Sequence, residues 1–262
     1  MAEDERFDVV VAGGGMTGGL LAAALAREPT LSVCVLEADP PAPFEPGSAP
    51  PYDIRVSALS IATERMFRRV GAWDGVVSRR ACPYREMMVW DGVAGSDTED
   101  PARGRTHFDA AELGAEALGY IVENRVVQLA LLERLEHAPN VTLKSPARLE
   151  SFRTQAEGSV VALEGGGTLR TRLLVGADGA GSAVRSLANI AHEREPYSQH
   201  ALVATVRTVL PQRSVTWQRF VPSGPQAFLP LCGPHASMVW YHEPDEIRRL
   251  TALEDERFVR AM

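Results

Sequence analysis

The sequence has few cysteines, no excess of positive charge and no long apolar run. Its three cysteines are far apart and form no CxxC pair, so we expect neither a disulfide framework nor a metal site. No apolar run approaches the ~18 residues that a membrane span requires, and the acidic N-terminus is not typical of a signal peptide. The net charge of -7 gives no general basic field that would attract nucleic acid. These absences predict a cytoplasmic protein in a reducing compartment, without nucleic-acid partners.

The order of apolar segments predicts the fold class. At ~150 residues per domain, the 262 residues allow one large or two small domains. The hydrophobic content of 45% is enough for a sizeable core. Near the N-terminus an apolar run at 7–12, a glycine-rich turn, an alanine-rich helix at 20–27 and an apolar run at 32–36 predict a parallel β-α-β unit. The last third alternates like an antiparallel sheet. We therefore predict an α/β fold, a Rossmann-like domain with an inserted, sheet-rich α+β domain.

Helical spacing of apolar residues predicts further helices over 57–70, 124–137 and 246–262. Six prolines between residues 38 and 53 exclude a helix or a central strand there. We expect this segment to be a loop.

Three glycines follow the first predicted strand with the spacing GxGxxG. Gly13 permits a tight turn, Gly15 lets a pyrophosphate approach the backbone, and Gly18 lets the helix pack closely on the strand. A glycine-rich turn without a ligand is the alternative. The strand, helix and second strand around the motif favour dinucleotide binding.

The residues beside this turn agree with that interpretation. The N–H groups of Met16 and Thr17 lie at the predicted start of the helix, where the helix dipole favours anions. Glu37 ends the second strand, where an acidic residue meets the ribose hydroxyls. An acid at this position favours FAD or NAD over NADP.

A second motif lies after the apolar segment 173–177. The residues from Asp178 to Arg185 have the pattern DGxxSxxR. With the glycine motif, this pattern resembles the FAD-dependent aromatic hydroxylases of the p-hydroxybenzoate hydroxylase class. The resemblance implies that Asp178 binds the cofactor near its ribityl and pyrophosphate groups. Arg185 is expected to be structural, with a carboxylate as its partner.

Two further segments carry the resemblance. Residues 52–60 (YDIRVSALS) match the family segment in which an arginine reaches the flavin side of the cofactor, which implies that role for Arg55. Residues 122–128 (VENRVVQ) match the helix that lays a polar side chain along the cofactor. Gln128 is the first candidate there and Arg125 the second. Each of these side chains has a solvent-exposed position as its alternative.

The last third is similar to the ubiquinone-biosynthesis hydroxylases. The similarity lies in residues 199–203, 217–231 and 238–240, which on physical grounds alone are a sheet with turns. It implies an FAD-dependent monooxygenase that hydroxylates a polyprenylated phenol, with NAD(P)H as electron donor and molecular oxygen as co-substrate. It also implies a quinone-biosynthesis complex and peripheral contact with the inner membrane. No catalytic residue is predicted.

One family motif is missing. Family members carry a later Gly-Asp motif, and no Gly-Asp dipeptide occurs in this sequence. We expect a C-terminally truncated chain, inactive as a hydroxylase and weak in FAD binding. The predicted FAD domain is 1–78 with 111–190, and the predicted substrate domain is 79–110 with 191–262. A dehydrogenase or reductase linked to FAD or NAD, and a non-catalytic partner in a biosynthetic complex, remain as alternatives.

Overall fold

The computed structural model describes residues 5–44, 51–92 and 104–261. Its contacts divide the chain into two compact units. The first unit consists of Met1–Pro51, Glu64–Arg79 and Asn124–Glu193, and the second of Tyr52–Thr63, Arg80–Glu123 and Arg194–Met262.

The first unit contains a six-stranded sheet. Its strands are β1 (Glu5–Ala12), β2 (Val33–Leu36), β8 (Val141–Lys144), β9 (Leu149–Gln155), β10 (Gly158–Leu163) and β11 (Thr168–Gly176). Their order is β8-β2-β1-β11-β10-β9. The neighbours from β8 to β11 run parallel, and β10 is antiparallel to both β11 and β9.

The first unit also contains helices. They are α1 (Met16–Leu25), most of α2 (Ile61–Val70), α3 (Trp73–Arg79), α4 (Asn124–Glu136) and α5 (Ala183–Leu187). The apolar runs predicted as β1 and β2 are buried on both faces, because Val10, Val11 and Val35 have no exposed surface. Helices α1 and α4 approach closely at Gly19, where an added Cβ would lie 3.2 Å from the Cβ of Leu131. The predicted β-α-β unit is confirmed.

The second unit contains two sheets. The strands are β3 (Val56–Ser60), β4 (Cys82–Tyr84), β5 (Glu86–Asp91), β6 (Arg105–Asp109), β7 (Gly119–Glu123), β12 (His200–Arg207), β13 (Val215–Val221), β14 (Gly224–Pro230) and β15 (His235–His242). A six-stranded sheet has the order β12-β15-β14-β13-β5-β6, and a three-stranded sheet has the order β3-β7-β4. A short 3-10 helix (Ala110–Leu113), α6 (Pro244–Thr251) and α7 (Asp255–Ala261) complete the unit. The predicted α/β fold class with a sheet-rich second part is confirmed.

Three predicted helices differ from the structure. The first helix begins at Met16, inside the glycine motif, and not at Leu20. The helix predicted over 57–70 begins only at Ile61, because the preceding residues form β3 and pair with β7, a partner that local periodicity cannot reveal. The helix predicted over 246–262 is two helices, α6 and α7.

The prediction about the cysteines is wrong for one pair. Cys82 and Cys232 form a disulfide, with their Cα atoms 5.4 Å apart and 150 residues between them in sequence. The pair forms because β4 and the residues after β14 pack in one apolar cluster that contains Cys82 and Leu231. The separation of the two cysteines in the sequence therefore gave no information about their distance in the fold. Because two of the three cysteines are bonded, cysteine usage no longer supports a reducing compartment. Across the described residues, no helix is long and apolar enough to cross a membrane.

The remaining cysteine gives a test of this pairing. Cys34 is fully buried, and its burial raises the pKa of the thiol to about 12, so the thiol is protonated and unreactive near neutral pH. We expect no alkylation of the folded protein and one alkylated cysteine after unfolding without reductant. Unfolding with reductant should give three. Mass spectrometry counts the modified thiols, and three modified cysteines without reductant would contradict the disulfide.

Candidate functional site

The turn between β1 and α1 combines tight packing with one open position. A Cβ added to Gly13 would lie 2.4 Å from the carbonyl oxygen of Ala177, and one added to Gly18 would lie 1.9 Å from the carbonyl oxygen of Gly13. Gly13 also has a φ of +105°, which side-chain-bearing residues rarely adopt. At Gly15 an added Cβ would meet no atom within 4 Å. Two glycines thus close the turn, and the third leaves the backbone open to a ligand.

The start of α1 faces this open position. Gly15 is the N-cap residue in an extended conformation, and Met16 is the first helical residue. The N–H groups of a first helical turn have no acceptor within the helix, so those of Met16 and Thr17 can bind an anion. No acidic side chain occupies the first turn. The positive end of the helix dipole is therefore not neutralised by the helix's own side chains.

Glu37 joins the turn to the end of β2. Its carboxylate is almost buried and accepts hydrogen bonds from the N–H of Gly14 at 2.8 Å and from the N–H of Asp39 at 2.8 Å. The amide of Gln128 adds a third bond at 3.2 Å. A carboxylate has about four acceptor positions, so it retains capacity for a hydroxyl donor. The structure thus brings Glu37 and Gln128 together at the glycine turn.

Arg125 has different contacts from Gln128, although both lie on α4. The Gln128 amide also reaches the carbonyl oxygen of Gly14, at 3.4 Å. The guanidinium of Arg125 donates to the carbonyl oxygens of Ala42 and Pro43, at 2.9 and 3.0 Å, and lies 4.5 Å from the ring centroid of Phe44. Arg125 therefore contacts the proline-rich segment, whereas Gln128 contacts the glycine turn.

Asp178 stabilises the loop after β11. Its carboxylate accepts hydrogen bonds from the Ser182 hydroxyl and from the N–H of Val184. Burial opposes ionisation of this carboxyl, but these hydrogen bonds outweigh burial and hold the pKa of Asp178 below its ordinary value. Ser182 in turn caps α5. Asp178 is thus an ionised carboxylate held by its own loop.

Arg55 belongs to the second unit and directly precedes β3. Its backbone N–H donates to the Asp53 carboxylate at 2.9 Å, and the residue is exposed. Arg185, expected to pair with a carboxylate, instead donates to the carbonyl oxygen of Ala180 at 2.7 Å. That local bond agrees with a structural role for Arg185, but the partner is a carbonyl oxygen and not the expected carboxylate.

Two residues of the site were missed by the sequence analysis. Gly14 supplies the N–H that holds Glu37, and a Cβ there would lie 2.9 Å from the Glu37 carboxylate. Ser182 both caps α5 and holds Asp178. The fixed serine of the DGxxSxxR pattern was a signal for the second, whereas the spacing GxGxxG gives no signal for the first.

These observations fit the phosphate and ribose groups of a dinucleotide cofactor, because an open glycine, a helix start without acidic side chains of its own and a held carboxylate occur together. A model of the family described as FAD binding domain matches residues 6–261. This chain belongs to that family. Its cofactor is FAD.

Curated relatives of this FAD-binding chain are named as ubiquinol or ubiquinone hydroxylases or as a ubiquinone-biosynthesis monooxygenase. The chain is 40% identical to 3-demethoxyubiquinol 3-hydroxylase of Escherichia coli, over 94% of this chain and 60% of the relative. It is 38% identical to ubiquinone hydroxylase UbiL of Rhodospirillum rubrum, over 97% and 56%. Human ubiquinone biosynthesis monooxygenase COQ6 is 34% identical, over 99% and 55%. The predicted resemblance is confirmed, and the chain spans less than two thirds of these relatives' length.

Solved structures share the fold of the FAD-binding chain. PqsL of P. aeruginosa, solved with 2-aminobenzoylacetate, has a TM-score of 0.73 and 25% identity, covering 95% of this chain and 64% of PqsL. Aklavinone-11 hydroxylase, solved with FAD and aklavinone, has a TM-score of 0.68 and 22% identity, covering 99% and 50%. The second similarity bears on the fold alone.

The packing of the glycines predicts different effects of two matched substitutions. Gly18→Ala should lower the free energy of unfolding by about 3 kcal/mol, because its Cβ meets backbone that cannot move freely. Gly15→Ala should cost no more than about 1 kcal/mol, the effect of a poorer N-cap. Urea denaturation without ligand measures both. Equal losses would show that the two glycines are not packed as described.

Proposed function

We propose that this chain forms the FAD-binding and substrate-facing parts of a monooxygenase that hydroxylates the ring of a polyprenylated phenol in ubiquinone biosynthesis. The observation that carries the proposal is the similarity to three named ubiquinone-biosynthesis enzymes, at 34–40% identity over 94–99% of this chain. A shared fold alone would not support it, because one fold hosts many reactions.

The proposal assigns the dinucleotide to residues of the first unit. The open backbone at Gly15, Met16 and Thr17 binds the pyrophosphate, and Glu37 accepts hydrogen bonds from the ribose hydroxyls. The other proposed cofactor-binding residues are Gly13, Gly18, Arg125, Gln128 and Asp178 in the first unit, and Arg55 in the second. Gln128 is the stronger candidate on α4, since its amide contacts Gly14 and Glu37 whereas Arg125 is engaged elsewhere.

The chain's own contribution to catalysis is binding, orientation and exclusion of water. The flavin supplies the oxygen chemistry when it is bound, with NAD(P)H as the proposed donor of electrons. The ionised Asp178 and the donors near Gly15 orient the cofactor's ribityl and phosphate groups. We assign substrate contact to the second unit, including residues 52–63 and 80–123, which belong to it by their contacts.

The proposed substrate also indicates where the protein acts. A polyprenyl tail is insoluble in water, so an enzyme of this kind receives its substrate from a membrane or from a partner protein. We therefore propose peripheral contact with the inner membrane and association with a quinone-biosynthesis complex. Phe220 in the second unit is an exposed aromatic residue, as such contact would require.

Glu37 provides a test of cofactor binding. Glu37→Gln should raise the dissociation constant for FAD about tenfold, because a neutral amide replaces a charged acceptor. Glu64→Gln is the matched control, since Glu64 is also a buried acid but pairs with Arg68 on α2 at 2.7 Å. Quenching of flavin fluorescence measures both affinities. An equal response of the two variants would refute the assignment of Glu37.

Oxygen incorporation separates the proposed monooxygenase from a dehydrogenase or reductase. For a longer version of the chain that includes the later Gly-Asp motif, supplied with FAD, NADH or NADPH, a prenylated phenol and labelled oxygen gas, we expect one labelled oxygen atom in the ring of the product. Mass spectrometry detects it, and anaerobic incubation is the control. Oxidation of the nicotinamide without labelled product would favour the alternative.

A further inference from the structure

A buried ion pair in the second unit lies outside the glycine-turn site. Arg80 follows α3, and Glu123 is the last residue of β7. The guanidinium Nε lies 2.9 Å from Oε2 of Glu123, and Nη2 donates to Oε1 at 3.0 Å. The Glu123 side chain is 1% exposed and that of Arg80 is 15% exposed. The contact is an almost dry ion pair with one hydrogen bond, from Nη2 to Oε1, which fixes the orientation of the two side chains.

The same carboxylate also holds the backbone before β3. The N–H of Asp53 donates to Oε1 of Glu123 at 2.8 Å. The Asp53 side chain then accepts the N–H of Arg55 at 2.9 Å. A chain of hydrogen bonds thus leads from Glu123 through Asp53 to the backbone of Arg55.

Tyr52 extends the network from its other end. The Arg80 guanidinium lies 4.1 Å from the centroid of the Tyr52 ring. The Tyr52 hydroxyl donates to the carbonyl oxygen of Cys232 at 3.0 Å, and Cys232 is covalently joined to Cys82. Residues 52–55 contain no helix or strand, so these side-chain contacts replace the regular hydrogen bonds that would otherwise order the segment.

A buried ion pair is weak evidence for a contribution to stability, because desolvation of both charges offsets their attraction. Here the pair instead holds the Glu123 carboxylate in a fixed position, where it accepts the backbone N–H of Asp53. We propose that Arg80 and Glu123 are positioning residues, which fix residues 52–55 and thereby hold Arg55 in the conformation that the cofactor requires. This inference rests on the proposed function for its last step only.

Amide hydrogen exchange tests the backbone part without any cofactor. Arg80→Met keeps an unbranched apolar stem but removes the guanidinium and its charge, and should speed exchange at Asp53 and Arg55 about tenfold or more. Arg80→Lys restores a charge and should recover part of the protection. Glu64→Gln, which alters the buried acid of α2, should leave these amides unchanged. Unaltered exchange at Asp53 and Arg55 in Arg80→Met overturns the proposal.

A loss of protection across the whole second unit in Arg80→Met would indicate unfolding. Arg80→Lys and Glu123→Gln then decide the matter, because each keeps a hydrogen-bonding side chain at its position. Relative to the unaltered chain, a larger increase in the exchange rate at 52–55 than at β12 in these two variants supports the proposal. An equal increase in both regions overturns it, since the pair would then be merely structural.

FAD affinity tests the last step through a double-mutant cycle. Glu123→Gln should raise the FAD dissociation constant about tenfold when Arg55 is present, and should have no further effect in the Arg55→Ala background. Additive effects would overturn the positioning role. If the unaltered chain binds no FAD, the proposed function fails instead, and the exchange result alone decides whether the pair fixes residues 52–55.

Discussion

The close approach of three backbone segments at the glycine turn is the constraint on which the first unit depends. The N–H of Gly13 donates to the carbonyl oxygen of Leu36 at 2.8 Å, and the N–H of Ala177 donates to that of Ala12 at 2.7 Å. These bonds join the ends of β2, β1 and β11 at one point. Side chains are excluded there because the oxygen of Ala177 lies where a Cβ of Gly13 would be. The same exclusion leaves backbone N–H groups available for phosphate.

Charge distribution follows from this geometry. The first turn of α1 carries no acidic side chain of its own. Glu37, which follows β2, is held by the N–H groups of Gly14 and Asp39. Asp178 is likewise held by its own loop, and its hydrogen bonds favour the ionised form despite burial. The two acids that we propose as cofactor-binding residues are thus held by hydrogen bonds within the first unit, before any cofactor binds.

The second unit is held together by contacts of a different kind. A disulfide joins β4 to the chain after β14, and a buried arginine–glutamate pair orders the irregular segment before β3. Each of these contacts joins residues far apart in the sequence. The segment that carries Arg55 therefore takes its conformation from the second unit's tertiary structure and not from its own propensity.

The sequence by itself determined the β-α-β unit, the glycine turn, the helix α4 and the antiparallel character of the last third. Each depends on periodicity or on a short motif, which are local properties. It also identified Glu37 and Gln128 separately, but not their contact with each other, which depends on where α4 lies in the folded first unit.

Only the tertiary structure decided the features that depend on distant partners. Residues 56–60 are a strand because β7 pairs with them, although their own pattern continues the helix. Cys82 and Cys232 are bonded because two sheets pack together there, although 150 residues separate them. Arg80 meets Glu123 because Arg80 lies just before β4, and β4 pairs with β7, which ends at Glu123. Long-range pairing of this kind leaves no periodic trace in the chain, because each partner alone has the composition of an ordinary strand or loop.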